Sequence, residues 1–169
     1  MTDVHSKATR SYNMAMIKSK NTKPELIVRK YLFSKGFRYR LNVKDLAGKP
    51  DIVLPKYRTV IFVHGCFWHG HEECKIAHIP QTRTDYWKNK IQKNITRDLA
   101  NHQKLKKAGW NIMTIWECQL KPQVRQQTLE GIELLLQKTY LGLYKTYYIP
   151  ATPHLDQVAE PHDSYDSQP

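Results

Sequence analysis

The sequence contains few cysteines and no long apolar run. It has three cysteines among 169 residues, and so small and odd a number is atypical of a secreted protein held together by disulfides. No early apolar run follows the first residues, and no stretch approaches the ~20 apolar residues that a membrane helix requires. We therefore expect a soluble, cytoplasmic protein whose thiols serve a metal or catalysis.

Acidic residues are also scarce relative to basic ones. The chain has 27 Lys and Arg against 15 Asp and Glu, for a formal net charge of +12. Such an excess of cations favours a polyanionic partner such as nucleic acid. Charge alone does not decide the function, because a basic surface can also be merely solvated.

Length and composition predict one folded domain. A chain of 169 residues with 40% hydrophobic residues can build a single modest core. We expect three parts: a basic amino-terminal segment at 1–22, whose residues 7–20 could form a helix, the folded domain at 23–148, and a flexible tail at 149–169. The tail is rich in Pro, Asp and Ser, a composition typical of disorder.

The first half of the folded domain predicts one helix and three strands. Thr22 and Glu25 have the spacing of a capping box, so a helix should cover 23–35 and end at Gly36. The alternating FRYRL segment at 37–41 predicts a half-buried strand. DIVL and TVIFV, which begin at 51 and 59, predict an antiparallel hairpin.

The second half predicts two helices around one strand. Apolar residues recur at helical intervals over 86–108 and 123–138, and the intervening segment at 110–118 reads as a strand. The element order predicts an α/β fold, with a mixed central sheet flanked by helices on both faces.

All three cysteines can be assigned to one metal site. Cys66, His71 and Cys74 have the pattern C-x₄-H-x₂-C, and Cys118 follows the last predicted strand. A Cys₃His set is typical of structural zinc, because it leaves no open position for a catalytic water. The neighbouring His69 remains an alternative to His71, and ordinary buried thiols remain an alternative to the site.

A carboxylate and two imidazoles meet at one end of the predicted hairpin. Asp51 begins the first strand, and the second strand leads into His64 and then His69. A carboxylate with backbone carbonyls can anchor Mg²⁺, and a neutral imidazole can accept a proton from water. The pattern indicates metal-assisted hydrolysis, although taken singly Asp51 could belong to a turn and His64 to the core.

Several segments resemble the very short patch repair endonuclease family. These segments are DVHSKATRSYNMAMI, GKPDIVL, VIFVHGCFWHGHEEC, TRTDYWKNKIQKNITRD and IWEC, which together span about 3–120. The resemblance implies the fold of type II restriction endonucleases with a structural zinc. It also implies an enzyme that nicks DNA 5′ to the thymine of a T:G mismatch and so starts repair of deaminated 5-methylcytosine.

The resemblance also implies a role for individual residues. Asp51 and the backbone carbonyl of Val63 would bind Mg²⁺, His69 would activate or position the attacking water, and His64 and Glu25 would support them. Glu25 is explained equally well by the capping box. The family's zinc ligands correspond to Cys66, His71, Cys74 and Cys118.

Four further residues match side chains that the family inserts between base pairs. Phe67, Trp68 and Trp87 match the aromatic wedge, and Met14 matches a residue that enters from the opposite groove. An inserted apolar side chain unstacks a base step most cheaply where pairing is already weak, so it can test for a mismatch. The alternative is that the aromatic residues pack under the loop.

The sequence departs from the family pattern in two places. Val63 stands where family members often have Thr, and the zinc loop is one residue longer before Cys74. The acidic-x-Lys pair of generic restriction enzymes is absent from the second hairpin strand, which makes a generic restriction nuclease less favoured.

The resemblance finally implies partners and a location. The partner would be double-stranded DNA with a T:G mismatch, with a functional link to a cytosine-5 DNA methyltransferase and with mismatch-repair proteins as further partners. We expect a monomer at the bacterial nucleoid. The alternatives are a zinc-containing DNA-binding module without catalysis and a sequence-specific restriction endonuclease.

Overall fold

The computed structural model of the chain describes residues 6–16 and 20–145. Its helices and strands are α1 (Lys7–Ala15), α2 (Lys23–Ser34), β1 (Ile52–Leu54), β2 (Thr59–His64), α3 (Thr84–Lys107), β3 (Asn111–Trp116) and α4 (Arg125–Lys145). The predicted tail at 149–169 lies outside the described residues. Within the described residues, no helix is long and apolar enough to cross a membrane.

The helix α2 begins where the capping box predicted. The Thr22 hydroxyl accepts the amide of Glu25 at 3.5 Å, but the Glu25 carboxylate accepts the amide of Asn21 at 3.0 Å and not that of Thr22. The helix ends at Ser34, and Gly36 follows with a positive φ of 83°. The cap therefore differs in detail from the standard box, because the Glu25 carboxylate accepts from the Asn21 amide and, at 2.9 Å, from the Thr22 hydroxyl in place of the Thr22 amide.

The predicted strand at 37–41 is wrong. Only Arg40 pairs with Val53, through two backbone hydrogen bonds of 2.8 and 2.9 Å. Two residues later Asn42 takes a left-handed φ of 53°, which turns the chain away from the sheet. The alternation of apolar and basic residues was present, but the backbone pairing that makes a strand stops after one residue.

The hairpin and the mixed sheet are confirmed. β1 pairs antiparallel with β2, and β2 pairs parallel with β3, in the order β1-β2-β3. A short 3₁₀ turn, Pro55–Tyr57, joins the hairpin strands. β2 is therefore the central strand, and its carboxyl end leads directly into the cysteine-containing loop.

Helices cover both faces of the sheet, as predicted. One apolar cluster packs α2 and α4 against the face of the sheet that carries Ile52, Leu54 and Ile61. The other cluster packs Leu105 of α3 against the opposite face, which carries Val53, Val60 and Phe62. Successive strand residues thus alternate between the two clusters, so the sheet is buried on both sides.

The last two elements differ in extent from the prediction. β3 ends at Trp116, and Cys118 lies beyond it in the 3₁₀ turn Glu117–Leu120. α4 continues to Lys145, seven residues past its predicted end, with Leu129, Ile132 and Leu136 buried along one side. The turn after β3 places the Cys118 side chain close to the loop that follows β2.

Candidate functional site

Asp51 lies just before β1 and bonds across to β2. One oxygen of its carboxylate accepts the backbone amide of Val63 at 2.7 Å. Burial raises the pKa of Asp51 to about 6; the bond from Val63 opposes this shift, and the charge of Glu25 adds to it. The carboxylate is thus a group whose ionised form needs more positive charge than its surroundings supply.

The Val63 carbonyl faces the same side of β2 as its amide. In an extended strand the N–H and C=O groups of one residue point in the same direction, and the amide of Val63 meets the Asp51 carboxylate. The Asp51 carboxylate and the Val63 carbonyl are the two groups that the sequence assigned to Mg²⁺. Both therefore lie at the end of the hairpin opposite its turn.

Glu25 forms a buried ion pair with Arg29 close to Asp51. Its carboxylate accepts a hydrogen bond from Arg29 at 2.7 Å, and both residues are buried. Arg29 also donates to the side chain of Asn21 at 2.6 Å and to the backbone carbonyl of Asp51 at 3.4 Å. Sequence reasoning missed Arg29, which links α2 to the backbone of Asp51.

His69 is held by a carboxylate that sequence reasoning did not identify. Its Nδ1 atom lies 2.6 Å from Oδ2 of Asp98, on α3. Burial of Asp98 would raise its pKa, but the hydrogen bond and charge of His69, with those of Arg97, outweigh burial and lower it. An ionised carboxylate favours the imidazole tautomer that carries its proton on Nδ1, and that tautomer would leave Nε2 free to accept a proton.

His64 stacks directly on His69. The ring centroids are 3.7 Å apart and the ring planes differ by 10°. His64 is 7% exposed, and burial, together with His69, lowers its pKa to about 3. Its imidazole is therefore neutral at physiological pH and packs flat against the His69 ring. His102 of α3 lies behind it, with its ring centroid 6.4 Å from that of His64.

The four predicted zinc ligands are brought together in the structure. One donor atom from each of Cys66, His71, Cys74 and Cys118 lies within 4.8 Å of all the others. The Cys118 sulfur is 3.4 Å from Nδ1 of His71, close to the ~3.6 Å edge expected for a tetrahedral ion with zinc's usual bond lengths. The geometry places His71, and not His69, in this group.

Burial acts on the thiols of Cys66 and Cys118, whereas backbone hydrogen bonds lower the pKa of Cys74. Burial raises the pKa of Cys66 to about 12 and raises that of Cys118, so without a cation these two sulfurs favour the thiol. A bound metal ion would favour the thiolate instead. The donor set and its spacing therefore fit one tetrahedral metal ion.

The loop after β2, which carries three of these ligands, packs against α3 and β3. Gly70 adopts a positive φ of 61°, and a Cβ there would lie 2.7 Å from the Ile95 side chain. His71 stacks on Trp116 at 4.1 Å with parallel rings, and Asn94 donates to the carbonyl of Trp68 at 2.8 Å. The positive φ and the close approach of Ile95 together favour glycine at position 70.

The three aromatic residues assigned to the wedge pack against one another. The ring centroids of Phe67, Trp68 and Trp87 are 5.1 to 6.0 Å apart in edge-to-face arrangements, and each side chain is half-buried. They form one aromatic cluster that remains partly open to solvent, and its member Trp68 directly precedes His69 in the chain. Met14 lies in α1, and its side chain falls outside the described part of the chain.

Comparison with known proteins points to one family. Residues 2–75 match the family described as DNA mismatch endonuclease Vsr. The chain is 54% identical over 121 residues to the type II nicking enzyme V.NmeAIP of Neisseria meningitidis. The aligned residues make up 72% of this chain and 86% of that enzyme. It is 50% identical over 120 residues to the type II nicking enzyme V.XorIIP of Xanthomonas oryzae, covering 71% and 88%.

A third relative carries the family's own name. The chain is 44% identical over 121 residues to the DNA mismatch endonuclease Vsr of Escherichia coli, covering 72% of this chain and 77% of that enzyme. The similarity spans the hairpin, the cysteine-containing loop and α3, where the site residues lie. The chain therefore belongs to the Vsr family of DNA mismatch endonucleases and is a DNA endonuclease.

Proposed function

We propose that this endonuclease nicks one DNA strand 5′ to the thymine of a T:G mismatch and so starts very short patch repair of deaminated 5-methylcytosine. The single observation that carries the proposal is the meeting of Asp51 and the His69–Asp98 pair at one end of the hairpin. The Escherichia coli relative, whose name specifies a mismatch endonuclease, supports the choice of substrate.

Asp51 and the backbone carbonyl of Val63 would hold a catalytic Mg²⁺. Within the described residues Asp51 forms no ion pair, and Arg29 is engaged by Glu25. A hard cation with oxygen ligands would stabilise the ionised carboxylate. When bound, Mg²⁺ supplies positive charge that neutralises the scissile phosphate and eases ionisation of water. The Val63 side chain takes no part, so a Thr hydroxyl is not required.

His69 accepts the proton of the attacking water on its Nε2 atom. Asp98 acts as a positioning residue, because it fixes the Nδ1 tautomer and the ring orientation through the 2.6 Å contact. The neutral His64 ring, stacked at 3.7 Å, prevents the His69 ring from tilting. The contact with Asp98 and the stacking with His64 together fix the orientation of the His69 ring.

Glu25 supports the site indirectly. Its buried carboxylate holds Arg29, which donates to the backbone carbonyl of Asp51 at 3.4 Å. This arrangement fixes the backbone from which the Asp51 carboxylate extends. Glu25 is therefore both a helix cap and a positioning residue, which joins the two alternatives that the sequence left open.

Zinc on Cys66, His71, Cys74 and Cys118 would have a structural role. Four protein ligands leave no open position for water, and the set joins the loop after β2 to the turn after β3. His69 lies within this loop, so the zinc would also fix the position of the proton acceptor.

The aromatic cluster of Phe67, Trp68 and Trp87 would enter the DNA at the mismatch. Its rings are half-buried, and Phe67 and Trp68 directly precede His69 in the chain, while Trp87 contacts Phe67. An unstacked base step would therefore lie close to the proton acceptor. Unstacking costs a few kcal/mol per step and least where pairing is weak. The basic segment at 1–22, with Met14, would contact the same duplex from the opposite groove.

We propose a restriction-endonuclease-like arrangement of the domain at 23–148, acting as a monomer and linked functionally to a cytosine-5 DNA methyltransferase. Mismatch-repair proteins would be further partners. The mixed sheet with helices on both faces supports this arrangement.

The test is incubation with Mg²⁺ and end-labelled duplexes that carry T:G within randomised flanking sequence. We expect one nick, 5′ to the thymine, in the thymine strand of a subset of flanks. Binding without cleavage would favour a DNA-binding module, and cleavage of both strands of matched duplex would favour a restriction endonuclease. Either result would overturn the proposal.

A further inference from the structure

Asn21 lies where the basic amino-terminal segment at 1–22 meets α2. Its side-chain oxygen accepts a hydrogen bond from Nη1 of Arg29 at 2.6 Å, and its backbone amide donates to Oε2 of Glu25 at 3.0 Å. Its φ of 53° is left-handed, a conformation that Asn adopts more readily than most residues. Asn21 is exposed, whereas both of its partners are buried. The end of the amino-terminal segment is thus bonded to the interior of the domain.

The Arg29 guanidinium extends these contacts to Asp51. Its Nη2 atom donates to Oε2 of Glu25 at 2.7 Å and to the backbone carbonyl of Asp51 at 3.4 Å. Arg29 is 7% exposed, so it acts through the residues that it contacts and not by direct contact with DNA. One buried side chain therefore bonds to the end of the amino-terminal segment and to the backbone of the residue assigned to Mg²⁺.

The Arg29 guanidinium has more donors than partners. Its Nε atom is buried and has no hydrogen-bond partner among the described residues, and a buried N–H without a partner is costly. Of the side-chain hydrogen bonds that Arg29 makes, the one to the Asp51 carbonyl is the longest and so the weakest. If the Asn21 acceptor is removed, Nη1 also loses its partner and the guanidinium shifts to find another. The contact with Asp51 is the one that such a shift breaks first.

We propose that Asn21 and Arg29 are positioning residues, which link the amino-terminal segment to Asp51 and hold its backbone in place for nicking. Their role rests on the proposed function of Asp51 as the Mg²⁺ ligand. It extends that function to the residue at which the segment proposed to contact DNA joins the folded domain.

Asn21→Gly tests this link with little disturbance. Glycine adopts a positive φ without strain, so the change removes the side-chain acceptor and leaves the buried pair of Glu25 and Arg29 intact. We expect the single-turnover nicking rate at saturating Mg²⁺ to fall roughly ten-fold or more, with affinity for the T:G duplex unchanged. Asn21→Asp, which restores an oxygen acceptor, should recover most of the rate. Asn42→Gly is the matched control, because Asn42 is also exposed with a φ of 53°, and it should nick at the wild-type rate.

The second measurement is Mn²⁺ binding, which does not depend on turnover. The zinc-loaded full chain is titrated with Mn²⁺ without DNA, and free Mn²⁺ is measured by electron paramagnetic resonance. Asp51→Asn gives the background from other sites. We expect the dissociation constant of the site at Asp51 to rise roughly ten-fold in Asn21→Gly and to stay unchanged in Asn42→Gly.

Arg29→Lys completes the test, with circular dichroism to verify folding. Lysine keeps the positive charge beside Glu25 but lacks the planar group that donates to several fixed partners. If Asn21 and Arg29 act through the same contacts, the double variant nicks no more slowly than Arg29→Lys alone. An unchanged rate or Mn²⁺ affinity in Asn21→Gly, or multiplied losses in the double variant, would overturn the link. A wild type that nicks no mismatched duplex would overturn the proposed function, and Mn²⁺ binding would still decide the link.

Discussion

At the scale of single residues, the proposed chemistry depends on Asp51, a half-buried carboxylate. Its pKa is raised from 3.8 to about 6, so the folded protein binds a proton more tightly there than the unfolded chain does. Above about pH 6, where Asp51 is ionised in both the folded and the unfolded chain, this group therefore makes the free energy of folding less favourable. The unfavourable contribution decreases as the pH falls toward 4. A cation at the site would remove the penalty.

The first prediction concerns Asp51→Asn. The variant should show no nicking, and without Mg²⁺ it should be more stable than the wild type at pH 8 by up to about 2–3 kcal/mol, the equivalent of the pKa shift. The advantage should shrink toward pH 4. Urea unfolding at both pH values measures it, with Asp45→Asn as control. A stability difference that is the same at both values would contradict the raised pKa of Asp51.

The second prediction concerns Asp98→Asn. The neutral amide no longer favours the proton on Nδ1 of His69, so we expect the nicking rate to fall by roughly 10²- to 10⁴-fold with mismatch binding retained. Single-turnover nicking and a mobility-shift assay separate the two effects. Asp98→Glu, which restores the carboxylate, should recover part of the rate. Equal rates for the Asn and Glu variants would show that Asp98 has no positioning role.

Sequence reasoning reached some of these residues and not others. Asp51, His64 and His69 were identified because a hairpin brings its own ends together. Asp98 was missed because its partner is 29 residues away along the chain, a distance that only the packing of α3 bridges. The available signal was an acidic residue in the middle of a helix that is otherwise rich in Lys and Arg.

At the scale of secondary-structure elements, local patterns predicted most of what forms. The hairpin, α2 and α3 follow from β-branched runs, a capping residue and helical periodicity. The segment at 37–41 shows where this reasoning fails, because alternation reports burial and not backbone pairing, and Asn42 turns the chain. β1 is therefore paired with β2 on one side and makes a single bridge, between Val53 and Arg40, on the other side.

The third prediction tests the cross-link between the cysteine-containing loop and the turn after β3. Cys118→Ser removes one of the four donors, and the variant should lose zinc and melt at least about 10 °C lower, equivalent to roughly 3 kcal/mol. Thermal unfolding and zinc content measure the two effects. Lys121→Ala, an exposed neighbour, should change neither. Full zinc content with an unchanged melting temperature would refute the cross-link.

The fourth prediction concerns the aromatic cluster. Trp68→Ala should lower the ratio of affinities for T:G and matched duplex by about ten-fold, because one unstacking side chain is lost. Competition binding measures the ratio. Tyr86→Ala is the control, since Tyr86 contacts Trp87 at 5.2 Å but is 51% exposed, and it should leave the ratio unchanged. An unaltered ratio for Trp68→Ala would argue that the cluster only packs.

At the scale of the whole molecule, the formal net charge of +12 should dominate the affinity for DNA. The fifth prediction is that the logarithm of the binding constant falls linearly with the logarithm of salt concentration, by roughly 0.9 for each phosphate neutralised. Matched and T:G duplexes should give parallel lines, because the wedge releases no counterions. Fluorescence anisotropy over a salt series measures both. Lines of different slope would mean that charged residues read the mismatch.

The overall architecture was predictable because helices and strands alternate and the strands are apolar on both faces. The sequence alone did not reveal how α3 packs over the cysteine-containing loop, since the contact between Gly70 and Ile95 depends on tertiary structure. Gly70 follows His69 in the chain, and Ile95 and Asp98 both lie on α3, so the two contacts occur where the same loop meets the same helix. Part of the site is thus a property of the fold and not of any one segment.

The most direct measurement of the central claim is strand-specific cleavage mapping with the wild type and Asp51→Asn. Both strands of T:G, T:A and C:G duplexes in an accepted flank are labelled, and products are sized with and without Mg²⁺. We predict a single product from the thymine strand of T:G, formed only by the wild type with Mg²⁺. Cleavage by Asp51→Asn at the wild-type rate, or equal cutting of T:A, would contradict a mismatch-specific site built on Asp51.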